Sequence, residues 1–184
     1  PYKVTAKLDN GRGVYSFCMC PGGYVVNASS EEGRLAVNGM SYHARAGENA
    51  NSAIIVTVTP EDYGSEHPLA GMEFQRKLEE RAFRAGGGKI PVQRLEDFCK
   101  NQISTSFGNV EPQMKGAYAF GDVPGIFPQV LAESIEEGMR QFEHKITGFS
   151  DGDTLLSGVE SRTSSPVKIP RDENMELSLI HISE

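Results

Sequence analysis

The run Phe17-Cys18-Met19-Cys20-Pro21-Gly22-Gly23 sets two of the chain's three cysteines one residue apart, just before a turn. On a strand, the side-chain period of two would point both thiols to one face. Thiols so placed suit redox chemistry. A disulfide between residues i and i+2 closes a small, strained ring that is easily reduced. Cys18 and Cys20 are therefore candidate catalytic thiols. The competing reading is that they are small buried hydrophobes at a strand end. A metal site would need two further ligands. Cys99 is the other thiol, and His43, His67, His144 and His181 are single and unclustered. Structural zinc shows short paired spacings at both ends, so the ligand count argues against a metal.

Two more stretches carry chemistry-bearing side chains. Asn38 to Ser52 is a long polar link between strands, and within it Arg45, Asn49 and Asn51 are candidate substrate contacts. Loops with such side chains on a rigid sheet often bind ligands, although Asn, Gly and Ser also make ordinary turns. In Glu160-Ser161-Arg162-Thr163-Ser164-Ser165-Pro166, a guanidinium beside hydroxyls suits an anionic or carbonyl-bearing ligand. The competing reading is an exposed strand ending at a proline. No strand is followed by a G-x-G-x-x-G or Walker-type loop, and Gly86-Gly87-Gly88 reads as a helix stop. No Ser-His-Asp set stands out.

The elements that must position these residues are legible in outline. Val4–Leu8, Val14–Met19, Tyr24–Val26, Leu35–Val37 and Ala53–Thr59 read as short strands separated by turn signals. The last is mostly β-branched, which predicts burial on both faces. A helix is expected after Pro68, with Gly71, Phe74, Leu78, Ala82 and Ala85 on one side. A second is expected at Val92–Lys100, with Leu95, Phe98 and Cys99 on one face. A third should start after Pro128, striped by Leu131, Ile135, Gly138, Met139 and Phe142. Residues 101–127 read as loop, and strands return from Thr154 onward. The fold class is thus α+β: a mainly antiparallel sheet (1–59), a helical insertion (60–149) and return strands (150–174).

Composition bounds the function. The chain has 184 residues, enough for one sizeable core. Its net charge of −7 argues against a large nucleic-acid face. No apolar run approaches the roughly 20 residues of a membrane span, and no signal-peptide pattern is present. Few cysteines and no disulfide framework fit a reducing cytoplasm. The chain starts at Pro1 in what reads as mid-strand. Residues 175–184 end without a closing element and read as a non-native tail.

Several stretches together resemble one family: Asn10 to Gly23; Asn38-Gly39-Met40-Ser41 with Gly47 to Ala53; Thr59 to Gly64; His67 to Arg76; and Leu155 to Val167. They are similar to the C-terminal domain of bacterial FAD-dependent dehydrogenases of unassigned substrate, over residues 1–174. The resemblance implies a larger flavoprotein in which a two-part, Rossmann-type domain holds the FAD pyrophosphate on a helix N-terminus. Neither of its parts is in this sequence, so the chain by itself is expected not to hold FAD and to be inactive alone. Its partners would be a small-molecule substrate and the FAD-binding portion of the same chain. The resemblance further implies that Cys18-Met19-Cys20 and the cofactor-binding candidates Arg162, Thr163, Ser164 and Ser165 face the flavin. Arg162 would orient the flavin or an anionic substrate, and Arg45, Asn49 and Asn51 would line the same cavity. The rival readings are a non-catalytic binding domain and a thiol-disulfide protein using Cys18 and Cys20.

Overall fold

In a computed structural model, residues 3–162 and 170–173 are described. The N-terminal strands form where the sequence alternates. β1 (Val4–Lys7) and β2 (Gly13–Cys20) pair antiparallel, Val4 opposite Ser16. The turn between them uses Gly11 at φ 83°, a left-handed conformation that glycine adopts without strain. β3 (Tyr24–Asn27) and β4 (Val37–Met40) form a second antiparallel pair. β5 (Asn51–Val56) returns to the free side of β2, giving a first sheet in the order β1-β2-β5.

The middle of the chain mixes helices with strands. α1 (Pro60–Tyr63) is one turn, and α2 (Ala70–Ala85) is the long helix ended by the triple glycine. β6 (Ile90–Arg94) runs into α3 (Leu95–Cys99). β7 (Met114–Lys115) joins β3 in parallel, completing the second sheet. β8 (Tyr118–Phe120) lies parallel to β6. After a 3-10 turn at Pro124–Ile126 comes α4 (Gln129–Glu143), and β9 (Leu155–Ser157) closes the third sheet antiparallel to β6.

The fold is α+β, but the single mainly antiparallel sheet is replaced, among the described residues, by three three-stranded sheets, two of them mixed. The segment expected to be a helical insertion carries β6, β7 and β8. Ile90 to Gln93 is wholly buried, and a short apolar run of that kind fits strand or helix equally well on periodicity. The helix expected at Val92–Lys100 therefore begins only at Leu95. Leu95 and Phe98 face the core as expected, whereas Cys99 is exposed. β5 pairs with β2 alone and turns Ile55 to solvent, so it is not buried on both faces.

The stripe of α4 is buried as its spacing predicts. Gly138 has a packing reason: a Cβ there would lie 2.5 Å from Val14 Cγ1, so only glycine lets α4 settle onto β2. The main core joins Leu35 and Val37 to Leu78, Ile90, Phe98, Ile126, Ile135, Met139 and Val159. A satellite cluster of Val4, Leu8, Val14 and Phe142 joins α4 to β1 and β2.

Candidate functional site

Three small sheets leave space between them. A half-open cavity of 800 Å³ is walled by the β2–β3 turn, the starts of β4 and β5, β7, β9 and the core side of α4. Phe98, Val123, Ile135, Met139 and Val159 belong to its wall and to the main core alike. Open to solvent on one side and backed by core residues on the other, the space is a surface pocket. A smaller hollow of 260 Å³ beside α1 and α2 is lined by Tyr63, His67, Glu73, Phe74 and Lys77, and meets the core cluster through Phe74, which packs against it.

The Cys-Met-Cys run meets the cavity with one thiol. β2 pairs Phe17 with Ala53 and Cys20 with Asn51, so the strand carries one extra residue against β5. Cys18 takes up that bulge in a left-handed conformation, φ 52°. The bulge breaks the period of two, so the two thiols do not share one setting. Cys18 is exposed and outside the cavity wall, whereas Met19 and Cys20 are in it. Cys20 donates its thiol to the Gly22 carbonyl at 3.3 Å, and no disulfide joins the cysteines among the described residues. The two glycines are there for close backbone approach. A Cβ on Gly22 would strike Gly47 N at 2.4 Å and Arg45 O at 2.5 Å, and one on Gly23 would strike the Asn51 side chain.

The polar link divides in the same way. Asn49 and Asn51 line the cavity, and each spends its amide on backbone: Asn49 Nδ2 donates to Glu111 O at 2.7 Å, and Asn51 Nδ2 to Tyr24 O at 3.2 Å. These bonds tie the loop to β3 and to the chain before β7. Arg45 is exposed, sits at φ 49° and is not in the cavity wall. Its backbone, packed on Gly22, is what the fold uses.

The segment after β9 separates two carboxylates. Val159 O accepts from Val37 N at 3.0 Å, and Ser161 O accepts from Gln75 Nε2 at 2.6 Å, so the chain threads between β4 and α2. On the α2 side Glu79 is 3 % exposed. Arg162 Nε and Nη2 donate to its two oxygens, each at 3.0 Å, and Ser161 Oγ donates at 2.6 Å. Burial pushes the Glu79 carboxyl up, but Arg162 and Ser161 together outweigh it and hold it below the usual range. Arg162 also reaches Ser30. The guanidinium is thus engaged on the far side of the segment and is absent from the cavity wall. The sequence reading offered it to an anionic ligand; the fold commits it to Glu79. Thr163, Ser164 and Ser165 lie outside the described residues.

Glu160 is the site residue that the sequence did not single out. It is half-buried in the cavity wall, has no hydrogen-bond or ion-pair partner among the described residues, and is pushed up by burial. The Ser157 hydroxyl, three residues earlier in the chain, is buried in the same wall without a partner among the described residues. In sequence Glu160 looks served by Arg162 two residues on. That signal misleads because Glu79 claims the arginine from 83 residues away.

Glu160 and Glu48 are the charged residues of the described wall, and no Lys, Arg or His is among them. A diphosphate requires cations or a glycine-rich helix N-terminus. The cavity therefore does not fit the nucleotide half of FAD. No group of three or more metal-type ligands occurs among the described residues, and no helix among them is long and apolar enough to cross a membrane.

A family profile described as "FAD-dependent protein, C-terminal domain-like" matches residues 1–163. The chain is also 52 % identical, over 178 residues, to an uncharacterised protein of Clostridium beijerinckii. That match covers 95 % of this chain and 33 % of the relative, so the chain spans about a third of the relative's length.

Proposed function

The chain belongs to the FAD-dependent protein C-terminal domain-like family, and on that premise we propose that it is the substrate-side domain of an FAD-dependent oxidoreductase. The nucleotide-binding part would lie in the remainder of a longer protein, as the one-third coverage of the relative suggests. Flavin held there supplies the redox chemistry. This domain supplies the wall that binds, orients and dries the substrate. The observation that carries the reading is the 800 Å³ cavity: core residues wall it, Cys20, Asn49 and Asn51 reach it from within the residues that match the family, and its described wall offers nothing for a diphosphate.

The test uses the full-length protein. Ala53 lines the cavity on β5, so A53F places a benzyl group in it. The expected result is unchanged FAD content with a shifted visible flavin spectrum and slowed flavin reduction by NADH or NADPH. Wild-type spectrum and wild-type reduction in a variant with full FAD content would sink the reading. A full-length protein that never carries flavin would favour the non-catalytic binding domain.

A further inference from the structure

We propose that the cavity selects a ligand carrying a cationic nitrogen on an apolar body, with the ammonium group set against Glu160. The inference rests on reading the cavity as the substrate side of the domain, and it names the substrate class.

Three observations converge. The wall is apolar over most of its extent, with Phe98, Phe127 and Met139 facing a space of 800 Å³, a volume usual for small-molecule sites. Its charged groups are both acidic, Glu48 and Glu160, so an anion entering would meet repulsion and no counter-charge among the described residues. Glu48 is exposed and already accepts from Gln113 Nε2 at 3.1 Å. Glu160 is half-buried with no partner among the described residues, and the Ser157 hydroxyl in the same wall is also unanswered among them.

An unpaired carboxylate in an apolar wall is costly unless something neutralises it. The fold had a guanidinium two residues away and used it elsewhere, on Glu79. A ligand ammonium answers Glu160 directly, and a donor or acceptor elsewhere on the ligand answers Ser157. Burial also pushes the Glu160 carboxyl up, as it does for any acid partly withdrawn from water.

The experiment titrates full-length protein with three probes of matched apolar body: 2-phenylethylamine, 2-phenylethanol and phenylacetate. Calorimetry at about pH 7.5, where the amine probe and phenylacetate are both charged in solution, reads affinity. The visible flavin spectrum is recorded alongside. The amine should bind about tenfold tighter than phenylacetate, with the alcohol between them. E160Q should bring amine and alcohol together, while E48Q leaves the preference in place. E160Q removes a charge that burial disfavours, so it should melt no lower than wild type, and a lost preference is then not unfolding. Phenylacetate binding as well as the amine, a preference that survives E160Q, or no binding by any probe each overturns the proposal. Amine selection without a change in the flavin spectrum would leave this proposal standing and remove the flavin-side reading. Equal spectral changes with all three probes would do the reverse.

Discussion

Glu79 and Glu160 are two acids on either side of one short segment, and the fold treats them in opposite ways. Glu79 is almost fully enclosed and receives donors from Arg162 and Ser161. Glu160 is less enclosed and receives none among the described residues. One carboxylate is held down and the other is pushed up, although both lose water. The difference teaches that burial by itself does not decide what an enclosed charge is for; the partner does. A satisfied charge ties the segment to α2, and an unsatisfied one marks where a partner from outside belongs.

The largest effect should come from stranding the paired acid. R162A leaves Glu79 charged and enclosed, and it should cost about 2–3 kcal/mol in urea denaturation of the full-length protein. That is below the range for fully buried pairs because Arg162 is itself 44 % exposed. A loss within about 0.5 kcal/mol, the ordinary surface range, would show that the pair is not what anchors the segment.

Acid should reproduce part of that loss. The folded Glu79 carboxyl lies below its unfolded value, so its contribution is complete above the unfolded carboxylate range, about pH 4.3, and fades as pH falls through the lower folded value. Asp62, held down by Arg12 with the Thr59 donors, adds to the same limb. R162A should flatten the Glu79 part of the curve. An unchanged acid limb in R162A would break the contrast between the two acids.

E160Q should move stability the other way and by less, with a gain of about 1 kcal/mol near neutral pH and no ligand present. The sign follows from a folded value raised above the unfolded one. The stability tied to the protonated form is full below the unfolded value and is lost as pH rises through the folded value. The gain should therefore vanish near pH 4, which thermal melts across pH will show. A destabilised E160Q at neutral pH would mean that Glu160 has a partner after all.

The smallest effects should separate the two thiols. C18S and C20S should each change stability by less than about 1 kcal/mol. Alkylating Cys20 with a bulky maleimide, in a C18S background, should block amine binding in the cavity; alkylating Cys18 in a C20S background should not. Equal blocking by both would mean that the bulge does not divide their settings.

Much of this architecture was readable before any coordinates. The stripe Leu131, Ile135, Gly138, Met139 and Phe142 repeats at helical spacing, and that repeat alone places α4 and its buried face. The turn at Asp9–Arg12 and the triple glycine after α2 mark element ends through glycine's conformational freedom. The family, too, lies in contiguous motifs. What could not be read is what depends on distant partners. Ile90–Gln93 is a strand because β8 and β9 flank it. Cys18 and Cys20 part because, between the same two pairs, β5 has only Ser52 where β2 has Cys18 and Met19. Arg162 is lost to the cavity because Glu79 waits on α2. Local spacing determines elements, since each needs only its own neighbours. Which charge is answered and which is left open is decided by chain segments meeting in space, so the tertiary structure alone picked out Glu160.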